Sequence, residues 1–126
     1  RLSSTAELPA ERDPPKARSL AQQLINLSPN HGPYWNALGR AHYRLGGWQA
    51  AVEALDESMR LQKGGDGHDW FFLAMAHWQL GDKNQARTWY NRAAEWTERE
   101  RHAATDAELQ RVRTEAEALL EIKKDR

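Results

Sequence analysis

No cysteine occurs in the 126 residues, so disulfides, thiolate nucleophiles and cysteine-type zinc sites are excluded outright. Long apolar runs are missing as well. None approaches the roughly 18 residues of a membrane-spanning helix, and no signal-peptide core is present. Charge of one sign is equally absent, because 18 basic side chains are matched by 18 acidic ones. Such a chain lacks the positive surface that releases counterions from nucleic acid, and the same balance argues against binding an anionic membrane. What remains is 40% hydrophobic and 29% charged side chains, in a length suited to one domain with a real core. The chain opens at Arg1 in the middle of a pattern, from which a piece of a longer protein is expected, soluble and most simply cytoplasmic.

The dominant feature present is an internal repeat. Trp35, Leu38, His42, Leu45, Gly46 and Ala51 recur 35 residues later as Trp70, Leu73, His77, Leu80, Gly81 and Ala86. A fixed period in this range signals stacked supersecondary units, and about 34 residues with a W-x2-L-G core is a helix–turn–helix pattern. Residues 1–13 mix Ser, Thr, Pro and charge without apolar period and read as a poorly ordered linker or remnant. Asp13-Pro14-Pro15 then starts an amphipathic helix whose stripe is Ala17, Leu20, Ala21, Leu24, Ile25 and Leu27.

The spacing predicts helices over about 14–28, 33–45, 48–62, 68–80, 83–100 and 106–123, within a domain of residues 14–124. Gly46 and Gly81 are placed to end the first helix of each unit, where a left-handed residue is cheapest without a Cβ. Gly39 and Ala51 are small enough to let paired backbones approach. Asp82 is placed to cap a helix, and Thr105-Asp106-Ala107-Glu108 fits a capping box. The last helix, with Leu109, Val112, Ala116, Leu119 and Leu120, is expected to cover the open face of the final unit, and Lys123 and Lys124 suit its C-terminus.

On these residues the chain resembles the tetratricopeptide repeat family over about residues 14–122. The first full repeat supplies Trp35, Leu38, Gly39 and Ala51, but His42 stands for the family's Tyr, Leu55 for an aromatic, Ser58 for Ala and Lys63 for Pro. The second supplies Trp70, Leu73, Ala86, Tyr90 and Ala93, with Ala74 for Gly and His77 for Tyr. The helix from Ala17 resembles the second helix of an earlier repeat, with Ala17 and Pro29 at matching positions. The run from Gly65 to Trp96 is further similar to repeat tails of large bacterial multidomain proteins behind kinase or WD40-type modules, although no kinase motif lies in the chain.

The resemblance implies an all-α right-handed superhelix, an α-solenoid of about two and a half repeats with a C-terminal capping helix. It implies a protein or peptide partner held in a concave groove lined by the first helix of each repeat. Carried over, the groove positions are Pro33, Asn36, Arg40, Tyr43 and Arg44, then His68, Phe71, Met75, Trp78 and Gln79, of which we assign all but Pro33 and His68 to the partner. Helical spacing independently puts Asn36, Arg40, Tyr43 and Arg44 away from Trp35, Leu38 and His42. The same argument exposes Phe71, Met75 and Trp78; the other reading packs these three against the last helix for stability alone. A basic-polar panel beside an aromatic-Met panel suits a peptide with an acidic and an apolar anchor. The family's carboxylate clamp needs particular Lys, Asn and Arg residues in three successive repeats, of which Asn36 and Arg40 are a loose echo.

No enzyme activity, cofactor, metal, nucleic acid or membrane is implied. His42 and His77 each replace a buried consensus Tyr and read as hydrogen-bonded core residues rather than a metal pair. Asp66, His68 and Asp69 lie in a glycine-rich loop that matches neither an EF-hand nor a phosphate loop, and read as a helix cap with a flexible connection. No carboxylate pair is set in an apolar environment that would suit acid–base catalysis. A second reading of the whole is self-association into a homodimer, since the stripe Leu20, Leu24 and Leu27 lacks a repeat mate.

Overall fold

The computed structural model describes residues 12–122. All regular structure among them is helical: α1 (Pro14–Leu27), α2 (Gly32–Arg44), α3 (Trp48–Leu61), α4 (Gly67–Gln79), α5 (Lys83–Arg99), a 3-10 turn at Arg101–Thr105, and α6 (Ala107–Leu120). The linker expected over residues 1–13, apart from its last two positions, and the pair Lys123 and Lys124 lie outside the described residues. The chain divides into two compact units, meeting between Gly64 and Gly65.

In the first unit α2 packs against both α1 and α3. Asp13 caps α1, its carboxylate accepting from the Lys16 N–H at 3.2 Å, and Pro14 follows at the first helical position, where the missing N–H costs nothing. Ala21, Leu38 and Ala54 form a buried cluster with Ile25 and Trp35 packed on its rim. Trp35 is anchored by its indole N–H, which donates to the Pro29 carbonyl at 2.8 Å. The pairing of α2 and α3 is tight: a Cβ on Gly39 would lie 2.7 Å from Leu55 Cγ and 3.3 Å from the Ala51 carbonyl oxygen. Ala51 and Leu55 have no exposure at all.

In the second unit α4 packs against α5 and α6. Every residue from Trp70 to Ala76 is buried. Trp70 meets Trp96 edge-on with centroids 6.1 Å apart. The Tyr90 hydroxyl donates to Glu117 Oε2 at 2.7 Å, and Arg113 Nε donates to that same oxygen at 2.9 Å while its Nη2 reaches Glu98 at 3.0 Å. Glu117 is therefore a buried carboxylate held by a phenol and a guanidinium, and it ties α6 to α5. Burial, the hydrogen bond to Glu117 and the carboxylate's charge push the Tyr90 pKa up from 10.0 to about 12.

Four local details depart from the patterned expectation. The cap of α6 is Asp106, which accepts from the Leu109 N–H at 3.0 Å. Thr105 instead closes the 3-10 turn, its hydroxyl donating to the His102 carbonyl. The helix stops at Leu120 because Glu121 turns left-handed at φ 60 and the Ile122 N–H bonds back to the Glu117 carbonyl, a C-terminal closure that forgoes the usual glycine. Leu45 and Leu80, expected on the apolar stripe, are 38% and 44% exposed, since each sits at a C-cap just before its left-handed glycine, Gly46 or Gly81.

Gly39→Leu should destabilise the protein by about 1–3 kcal/mol through overpacking against Leu55, read as a lowered urea midpoint; an unchanged midpoint would remove the close α2–α3 contact. Tyr90 is protonated in both states below pH 10.0 and deprotonates first in the unfolded chain, so stability should fall as pH rises from about 10 to about 12. Tyr90→Phe should cost about 1–3 kcal/mol at neutral pH and flatten that alkaline fall, as compared in urea titrations at each pH.

Candidate functional site

In the first unit the residues assigned to a partner lie along α2. Asn36, Arg40 and Arg44 are half-buried, and Arg40 Nη1 donates to Asn36 Oδ1 at 3.2 Å, the contact that i, i+4 spacing allows. Tyr43 departs from the expected presented position, being only 7% exposed. The Arg44 guanidinium sits over its ring, 5.6 Å from the centroid, so the tyrosine acts as a platform for that cation, worth about 0.5–1 kcal/mol at such a site. His42, on the same helix, is half-buried. Burial, with help from Arg18 and against Glu53, lowers its pKa.

In the second unit the assigned residues divide. Phe71 and Met75 have no exposure, which corrects the expectation that they face outward. The Phe71 ring lies 5.8 Å from that of Tyr90. The cause is legible in α4 itself: Trp70-Phe71-Phe72-Leu73-Ala74-Met75-Ala76 is apolar on every side, and a helix that is apolar all round is buried all round. Assigning one stripe to the core and the remainder to solvent fails for such a segment. Trp78 and Gln79, one turn later, are half-buried.

Trp78 carries neighbours that the sequence pattern did not single out. Lys83 Nζ lies 4.7 Å and the Arg87 guanidinium 5.8 Å from its ring centroid. The two cations are one turn apart at the start of α5 and both are exposed, so the hairpin turn at Gly81 folds a basic pair back over an indole. Their spacing was visible in sequence, but not which ring they would cover. On the opposite flank of α5, Arg92 lies 4.6 Å from the Trp70 centroid and 5.3 Å from that of Trp89.

The glycine-rich loop ends in a cap, as its residues suggested. Asp66 Oδ1 accepts from the His68 and Asp69 N–H groups at 3.0 and 3.3 Å. Burial would raise the Asp66 pKa, but His68 and these two amides outweigh it and the pKa is lowered. The His68 pKa is raised, because Asp66, Glu108 and Asp106 together overcome the opposing effect of burial. Asp69, fully enclosed, stands in the first turn of α4, where the helix dipole favours a negative charge.

Among the described residues no helix is long and apolar enough to cross a membrane. Compared with family models, the chain matches the tetratricopeptide repeat twice, over residues 10–66 and again over residues 37–103. No curated protein matches it.

Proposed function

The chain belongs to the tetratricopeptide repeat family, and from that premise we propose that it binds a protein or peptide through the first helix of each of its hairpins. Repeats of this family generally mediate protein–protein interaction, and their fold is typically a non-catalytic module. In the first unit Asn36, Arg40 and Arg44 supply charge and hydrogen bonds from α2, the arginines meeting acidic side chains. In the second, Trp78 and Gln79 supply an apolar and polar edge, with Lys83 and Arg87 as further cations. Tyr43 acts beneath Arg44 rather than as a contact, and Phe71 and Met75 act by shaping α4.

The observation that carries this reading is the twofold placement of cations over aromatic rings, Arg44 on the buried Tyr43 and Lys83 with Arg87 on the half-buried Trp78. Each of these patches, taken within its own unit, offers charge on a platform that is already ordered, so less side-chain entropy is lost on binding. An acidic peptide with an aromatic or aliphatic anchor fits its chemistry. By the likeness to repeat tails behind kinase or WD40-type modules, the chain is itself a segment of a larger bacterial signalling protein in the cytoplasm, and its partner is a peptide or a sibling domain.

A second reading, self-association through α1, is favoured by Leu20 and Leu27, which are 48% and 80% exposed.

Arg40→Glu with Arg44→Glu should weaken capture of the natural partner from cell extract by about tenfold or more, with helicity and melting temperature unchanged; undiminished capture would move the site off α2. Phe71→Ala should instead cost about 3–5 kcal/mol of stability, read by urea unfolding. Light scattering over a wide concentration range separates the second reading, since a mass that stays at 14.5 kDa removes it.

A further inference from the structure

The folded second unit gathers four titratable side chains that are scattered in the sequence. His68 stands in the first turn of α4, and Asp106 and Glu108 stand at the start of α6. One donor atom from each of these three residues lies within 4.8 Å of the other two. His68 Nε2 is 3.4 Å from Asp106 Oδ2, and His68 Nδ1 faces Asp66 Oδ1 at 3.8 Å. We propose that His68, Asp106 and Glu108 form a binding site for a divalent transition-metal ion of the Zn2+ class, with Asp66 as the carboxylate behind the histidine.

Geometry supports this in two ways. Tetrahedral zinc with donors about 2.0–2.1 Å away separates those donors by about 3.3–3.4 Å, which is the spacing already present between Nε2 and Oδ2. Metal-bound histidines also direct their second nitrogen toward a carboxylate or carbonyl that fixes the tautomer, and the Asp66 carboxylate faces that nitrogen at 3.8 Å. Asp106 divides its work, whereas Asp66 uses one oxygen for both tasks. Asp106 Oδ1 caps α6 by accepting from Leu109, while Oδ2 is the oxygen turned toward His68. Asp66 Oδ1 caps α4.

Charge favours the same conclusion. Three carboxylates surround one imidazole, and a proton on that ring cancels one negative charge where a divalent ion cancels two. The donor set, one imidazole nitrogen with carboxylate oxygens, suits zinc better than the all-oxygen cages of calcium and magnesium. Side chains of His68 and Asp106 are 21% and 33% exposed, so an ion can enter and a fourth position stays open to water or to a donor from a partner. Bound there, the ion would pin the start of α4 to the start of α6.

The test is zinc titration of the full chain, stripped with EDTA, by calorimetry, with Co2+ absorbance as a report on geometry. One Zn2+ per chain is expected, with the visible bands of a four- or five-coordinate Co2+ complex. Glu108→Gln and Asp106→Asn should each weaken binding about tenfold or more, and Asp66→Asn about 10–100-fold. Asparagine caps helices as well as aspartate, so both aspartate variants keep their folds, which circular dichroism checks. Zn2+ should raise the melting temperature of the wild type and not that of Glu108→Gln, while His77→Gln should bind as the wild type does. Absence of saturable uptake, or uptake unchanged in His68→Gln or Glu108→Gln, overturns the site.

Discussion

Close approach of paired helices, made possible where side chains have no bulk, is the constraint on which each unit depends. At Gly39 a Cβ would intrude on both Leu55 and the Ala51 carbonyl. Gly32 and Gly67 show the same dependence at the helix starts. A Cβ on Gly32 would collide with the Gln62 side chain, and one on Gly67 would lie 2.6 Å from the Trp96 ring. These two glycines are themselves 35 residues apart, a further coincidence of the repeat whose meaning appears only when the end of the partner helix is seen resting on each. Because interiors are packed near crystal density, a spacing set by one small residue is transmitted to every side chain along the pair.

With the backbones so placed, charge is spent locally rather than across the surface. Aspartates begin four helices, Asp13, Asp66, Asp82 and Asp106 each accepting from a backbone N–H in the first turn, and thereby satisfy groups that have no intrahelical partner. Glu117 is consumed in the interior by Tyr90 and Arg113. Several cations, Arg44, Lys83 and Arg92, lie over indole and phenol rings. Among the described residues, then, four aspartates serve at helix starts and several bases rest on aromatic rings.

How much of the candidate site could be read beforehand depended on the kind of helix that bears it. On α2, apolar and polar positions alternate with helical period, so Asn36, Arg40 and Arg44 were identifiable as residues off the core stripe. On α4 the pattern carries no contrast, and Phe71 and Met75 lose their apparent outward direction because a uniformly apolar segment gains free energy on all sides when enclosed. Tyr43 is a milder case of the same failure. Lys83 and Arg87 had no visible role until the turn at Gly81 brought them over Trp78.

Interactions among residues three or four apart were determined by the sequence itself: the helical spans, the Asp13 and Asp82 caps, and the left-handed glycines at 46 and 81. These need only local dihedral preference and a nearby N–H, so the chain specifies them wherever it lies. The tertiary structure alone decided that Tyr90 would meet Glu117, that Trp70 would meet Trp96, and that His68 would face Asp106 and Glu108. Such pairings join residues on different helices, and their geometry follows from how apolar faces interlock, a condition that no short window of sequence contains.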